Sequence, residues 1–149
     1  IAAEDALYEN IENDEMKFKG FIDGIIGDTD KRGKKRIWII DWKTAGPGGW
    51  RLNKKRDFLT QAQLAAYKIY WSRREGIDLK DIRCAFVLLK RESKPGKSIS
   101  IVPVSVGPKM VQKTDKLVHS MLKSVRRKMH LKNKESCRFC EFKGTEHCK

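Results

Sequence analysis

The stretch from Gly20 to Lys43 constrains the fold more than any other part of this chain. Two runs rich in β-branched and aromatic residues, Phe21-Ile22-Asp23-Gly24-Ile25-Ile26 and Ile37-Trp38-Ile39-Ile40-Asp41-Trp42-Lys43, flank Lys31-Arg32-Gly33-Lys34-Lys35. This is the pattern of a β-hairpin, with strands over about 16–28 and 36–43. A turn centred on Arg32 places Asp23 across from Asp41. Opposed residues of such a pair have Cβ atoms roughly 4.5–5.5 Å apart, and like charges there are destabilising. Residues two apart share a face, so Lys43 joins Asp41. Two acids and a lysine on one patch are costly as structure, but they suit a divalent cation held beside a reacting phosphate.

Both faces of the hairpin read as largely apolar. Phe21, Asp23 and Ile25 share one face of the first strand, with Ile22 and Ile26 on the other. Ile37, Ile39, Asp41 and Lys43 oppose Trp38, Ile40 and Trp42 in the second. The pair is therefore expected to be central and covered on both sides. A buried carboxylate then needs a partner, a metal or a proton.

Charge narrows the partners. Lys plus Arg number 33 against 19 Asp plus Glu, a net +14. Such an excess points to a polyanion, nucleic acid ahead of an anionic membrane surface. No apolar run approaches the ~18 residues of a membrane span, and no secretory signal is visible. An intracellular location is the expectation. The length of 149 residues suits one domain, read as a core over 1–132 and a cysteine-rich tail over 133–149. The chain opens on Ile1 inside a helix-like pattern, so an N-terminal segment is expected to be missing.

The remaining elements follow in order. Ala3, Leu7 and Ile11 lie four apart, which predicts an acid-rich amphipathic helix over 1–14. Its carboxylates either face solvent or reach the Asp23/Asp41 site. The hairpin tip, with Arg32, Lys34 and Lys35, extends either as a solvated turn or as a finger on a phosphate backbone. Residues 44–57 read as a loop around Gly46-Pro47-Gly48-Gly49. Trp50, Arg51, Lys54 and Lys55 there suit a clamp that stacks on a single strand. Residues 58–74 form a helix with Ala62, Ala65, Ala66 and Ile69 facing a sheet. Its second stripe, Gln63, Tyr67, Tyr70 and Arg74, offers hydrogen bonds to phosphate or to the metal site. Strands over 82–90 and 99–106 follow, with Cys84 a core residue and Pro103 marking an edge. A last helix over about 109–131 is expected to bury Val111, Leu117 or Val118, Met121 or Leu122, Val125 and Met129.

Cys137, Cys140 and Cys148 crowd the C-terminus, the first two as C-x2-C. That spacing bites a single metal or an iron–sulfur cluster. A fourth ligand is required, from His147, Cys84 or a cysteine upstream of Ile1.

Gly20-x-x-Asp23, Asp41-x-Lys43-Thr44 and Gln63-Leu64-x-x-Tyr67, in that order, resemble the PD-(D/E)XK nucleases. The RecB-like branch looks closest, with its CRISPR-associated adaptation nucleases, AddB-type subunits and phage exonucleases. The resemblance implies an α/β (α+β) restriction-endonuclease-like αβββαβ core, a central mixed sheet flanked by helices. It further implies that Asp23, Asp41 and the Trp42 carbonyl hold Mg²⁺ or Mn²⁺, and that Lys43 activates water. Gln63 and Tyr67 would hold the site or the substrate. Cys137, Cys140 and Cys148 would be three ligands of a 4Fe-4S cluster, with zinc the alternative. Such enzymes usually add a metal-ligating His upstream of the first Asp. No His precedes Asp23 here, which leaves a residue before Ile1 or an acid of the first helix for that role.

The function so implied is a DNA nuclease, chiefly an exonuclease on single strands or ends, in a prokaryote- or phage-encoded oligomer or larger nuclease complex. The alternative is a non-catalytic nucleic-acid-binding module whose cysteine tail is a structural clip.

Overall fold

A computed structural model describes residues 2–11, 15–91, 94–129, 137 and 140–146. Strands β1 (Ala2–Asn10), β2 (Lys17–Thr29), β3 (Lys35–Ala45), β4 (Ile82–Lys90) and β5 (Ile99–Val104) form one sheet in the order β1-β2-β3-β4-β5. Neighbours run antiparallel except β3 and β4, which are parallel. A parallel pair needs a long crossover, and helices α1 (Leu52–Arg56) and α2 (Phe58–Glu75) supply it. Helix α3 (Pro108–Arg126) follows β5. The architecture is α+β. No described helix is long and apolar enough to cross a membrane.

The hairpin has the register that a turn at Arg32 requires: Gly24 pairs with Ile40, Ile25 with Ile39 and Ile26 with Trp38. Asp30 builds the turn, its Oδ1 accepting the amides of Arg32 and Lys34 at 2.9 Å each. Those bonds hold its carboxyl below the ordinary value. Gly33, at φ 79°, supplies the left-handed residue, a conformation that is easy only for glycine.

The N-terminal segment is a strand, not the helix expected over 1–14. A spacing of four satisfies the strand period of two as well as the helical period of 3.6, so Ala3, Leu7 and Ile11 do not discriminate. The neighbouring strand decides. The first half of β2 runs beyond its ladder with β3 and would be an open edge. β1 covers it, with Asn10 opposite Lys17, Tyr8 opposite Lys19 and Ala6 opposite Phe21. Leu7 enters the core at 1% exposure, worth roughly 1.5–3 kcal/mol for such a side chain.

Three further expectations change. Ile22 and Ile25 both enter the core with Ile39, so the alternation of β2 slips by one at Asp23-Gly24. The opposite sheet face is not closed, since Ile26, Trp42, Leu89 and Ile101 are exposed. Within 44–57, β3 runs on to Ala45 and Leu52–Arg56 make a short helix. Its first turn has no side-chain cap, and α2 begins at once on the Asp57 cap.

The core packs α2 onto the sheet through Leu64, Ala65, Tyr70, Trp71, Phe86 and Leu88. Tyr70 stacks on Phe18 with centroids 4.3 Å apart, so it is a core residue and does not face the candidate site. Contacts divide the chain into compact units at 1–115 and 116–149. In α3, Thr114, Val118 and Leu122 are the buried stripe, whereas Leu117, Met121, Val125 and the following Met129 are exposed. Val125 and Met129 fall off the four-residue spacing of that stripe. The part of the expected helix beyond residue 129 lies outside the described residues.

Candidate active site

Asp41 lies on β3 just past the last pair with β2, and the parallel ladder with β4 continues through it, Asp41 opposite Phe86 and Lys43 opposite Leu88. Its side chain turns toward α2 and is 1% exposed. Gln63 Nε2 donates to Oδ1 at 3.0 Å, while Lys43 Nζ stands 2.6 Å from Oδ2. The same Gln63 amide donates to the Tyr67 hydroxyl at 3.1 Å. Burial pushes the Asp41 carboxyl up; Lys43 pulls it back, and the nearby Asp23 charge pushes it up again. The site is thus a desolvated acid held by one cation and one amide.

Asp23 closes the gap where the strands separate. Its Oδ2 accepts the Trp42 amide at 2.7 Å, replacing a ladder bond with a side-chain bond. The Gly20-x-x-Asp23 motif has a steric reason as well. A Cβ on Gly20 would sit 2.7 Å from Tyr67 Cε1, nearer than such atoms approach. Glycine there leaves room for the Tyr67 ring, whose hydroxyl meets Gln63. Asp23, Asp41, Lys43, Gln63 and Tyr67 are therefore brought together by three elements.

One acid of β1 reaches the same level. Ala3 pairs with Gly24 and Asp5 with Ile22, so Glu4 falls between them, level with Asp23. Its φ of 52° is left-handed, which is unusual for a residue with a Cβ. Asp5 is not available: Arg74 pairs with it and also bonds the Ala6 carbonyl at 2.9 Å. Strand alternation would have revealed Glu4, but the segment's spacing reads equally well as helix.

The basic residues divide. Arg32 and Lys35 are exposed at the hairpin tip, whereas Lys34 pairs with Asp81. Arg51 is exposed, Lys55 is half-buried, and Lys54 Nζ donates to Thr60 Oγ1 at 2.9 Å. Four of the expected nucleic-acid contacts, Lys34, Lys54, Trp50 and Arg74, have partners within the fold. Trp50 packs its ring on Phe86, centroids 5.1 Å apart, because an apolar ring beside an open core gains more from burial than from a loop. Arg74 clasps the end of α2 to β1 through Asp5 and also bonds Glu75.

The oxygen donors on the side chains here are the carboxylates of Asp23 and Asp41. This hard set fits Mg²⁺ or Mn²⁺, which bind through one or two carboxylates and keep several waters. Among the described residues, no group of three or more His, Cys, Asp or Glu is placed to hold a metal. Cys137 is half-buried and Cys140 exposed, both as free thiols, while His147 and Cys148 lie outside the described residues. Cys84 is the core thiol expected. Burial pushes it up to about 12.

A mixed five-stranded sheet with flanking helices and an acid–acid–lysine patch defines a restriction-endonuclease-like fold. The chain belongs to the PD-(D/E)XK nuclease superfamily, whose family model matches residues 1–145. That membership supports a metal-dependent nuclease with a nucleic-acid substrate as the general class. A search of curated proteins gave no match.

Proposed function

We propose that the chain is a deoxyribonuclease of the RecB-like branch, hydrolysing DNA from ends or along single strands with Mg²⁺ or Mn²⁺. The observation that carries this reading is Asp41, buried between Lys43 Nζ at 2.6 Å and Gln63 Nε2 at 3.0 Å. A purely structural acid would not be buried beside a second acid. Asp23, Asp41 and the Trp42 carbonyl would hold the cation, which supplies charge neutralisation at the phosphate and a more acidic bound water.

The chain's own residues do the rest. Lys43 Nζ opposes the upward pull of burial on the Asp41 carboxyl, orients the attacking water and donates to the phosphate oxygen as charge builds there. Gln63 fixes the Asp41 carboxylate, and Tyr67 fixes Gln63. Glu4, level with Asp23 in the ladder, is the β1 acid that this reading would recruit as a further ligand once a cation is bound, in the role that related nucleases give a histidine. Arg32, Lys35 and Arg51 are the exposed cations suited to the phosphate backbone. Cys137, Cys140 and Cys148 would hold a 4Fe-4S cluster, or zinc, with a fourth ligand; the C-x2-C spacing supports this. Larger assemblies with other nuclease or recombination subunits fit the same reading.

The test is digestion of labelled linear and circular DNA, single- and double-stranded, with Mn²⁺, Mg²⁺ or chelator. Metal-dependent loss of linear single strands, with circles spared, is expected. Equal attack on circles would overturn the exonuclease assignment.

A further inference from the structure

A second cationic position lies away from the acids, where α2, the start of β4, the end of β5 and the start of α3 enclose a cleft of about 820 Å³. Lys68 of α2 lines it at 6% exposure. Its Nζ donates to the Val106 carbonyl at 3.0 Å, and no ion pair to it is found among the described residues. Arg83 also lines the cleft, exposed and likewise without an ion pair. The acids there are taken: Asp78 pairs with Lys80 at 2.5 Å, and Asp115 with Arg73 at 3.6 Å.

Buried lysines are almost always paired, because an isolated buried ammonium is costly. Burial here pulls the Lys68 amine below its ordinary value. Trp38, Leu79 and Pro103 add apolar wall. The volume falls within the range of pockets that hold small organic ligands.

We propose that this cleft binds a phosphate monoester of nucleotide size, with Lys68 and Arg83 on the phosphate and the apolar wall against the organic part. The site shares no residue with the Asp23/Asp41 patch and does not depend on the nuclease reading. The phosphate could arrive as inorganic phosphate, as a mononucleotide, or as the 5′-phosphate of an oligonucleotide. A ligand that uses the wall as well as the cations ranks the mononucleotide first.

Calorimetric titration of the full chain in chelator, with inorganic phosphate, dAMP and a 5′-phosphorylated trinucleotide in separate arms, tests this. Saturable dAMP binding is expected, tighter than phosphate and weakened at least about tenfold by Lys68→Met and by Arg83→Gln, as loss of a charged hydrogen bond implies. Asp41→Ala should leave it unchanged. Arg83 is exposed, so Arg83→Gln decides the matter should Lys68→Met not fold. Tightest binding of the trinucleotide, with the same two variants weakening it, would assign the cleft to a DNA end and overturn the mononucleotide. No saturable binding in any arm, binding indifferent to Arg83→Gln, or binding lost with Asp41→Ala would overturn the site itself.

Discussion

The Asp23 carboxylate accepts the Trp42 amide at 2.7 Å, one residue beyond the last pair of the β2–β3 ladder. The bond fixes Asp23 relative to Asp41 by tying it to the backbone of the next residue. An acid held this way has one oxygen committed to structure and the other left for a ligand.

Gln63 should matter to both stability and rate. Gln63→Leu leaves Asp41 Oδ1 buried without its 3.0 Å donor, a loss of about 1–3 kcal/mol for an unsatisfied polar group. Outer partners of metal ligands typically contribute 10–100-fold in activity. Thermal melting and cleavage rates on one preparation check both effects, and an unchanged rate would remove Gln63 from the site.

Gly20→Ala tests the steric basis of the first motif. The new methyl meets Tyr67 Cε1 at 2.7 Å, and overpacking of this kind costs about 1–3 kcal/mol. Denaturant unfolding should show that loss. A variant as stable as the parent would mean that Tyr67 does not lie where described.

Glu4→Gly separates strain from function. Its φ of 52° costs an L-residue about 1–2 kcal/mol, which glycine does not pay. The variant is expected to melt no lower than the parent while losing metal-dependent cleavage. If cleavage at limiting Mn²⁺ is unchanged, Glu4 is not a ligand.

Asp57 gives a pH signature. Its Oδ2 accepts the Thr60 hydroxyl at 2.6 Å and the Thr60 amide at 2.7 Å, and these bonds hold its carboxyl below the ordinary value. A depressed carboxyl stabilises the fold above the unfolded value, about 3.9 for Asp, and loses that contribution as pH falls through the folded value. Asp57→Ala should therefore melt below the parent at pH 7, and the gap should begin to close in acid below the unfolded value and vanish only below the folded one. A gap that stays constant down to pH 2 would contradict a charged cap.

The hairpin was legible because its turn chemistry is local. Asp30, Gly33 and the β-rich flanks settle the register without help from the rest of the chain, and with it the level of Asp23 and Asp41. The α2 stripe was legible in part. Gln63 and Tyr67 meet Asp41, but Tyr70 and Arg74, on the same helical line, go to Phe18 and Asp5. Periodicity gives a face, whereas partners come from elements distant in sequence. The same limit hid β1, whose spacing fits two periods, and sent Trp50 to Phe86. Lys68 carried no local signal, because its burial arises from Val106, 38 residues on.

Whether Asp41 and Lys43 perform metal-dependent hydrolysis is decided by a single time course. Parent, Asp41→Asn and Lys43→Met are each incubated with end-labelled single-stranded DNA in Mn²⁺, and binding is measured in parallel without metal. Metal-dependent charge stabilisation is worth several kcal/mol, so cleavage should fall about 10³-fold or more in Asp41→Asn, since each 1.36 kcal/mol is tenfold in rate. Lys43→Met should lose roughly 10²–10³-fold, and binding should stay within a few-fold in both. Cleavage that persists in Asp41→Asn, or a parent that binds DNA without cutting it, would contradict the account.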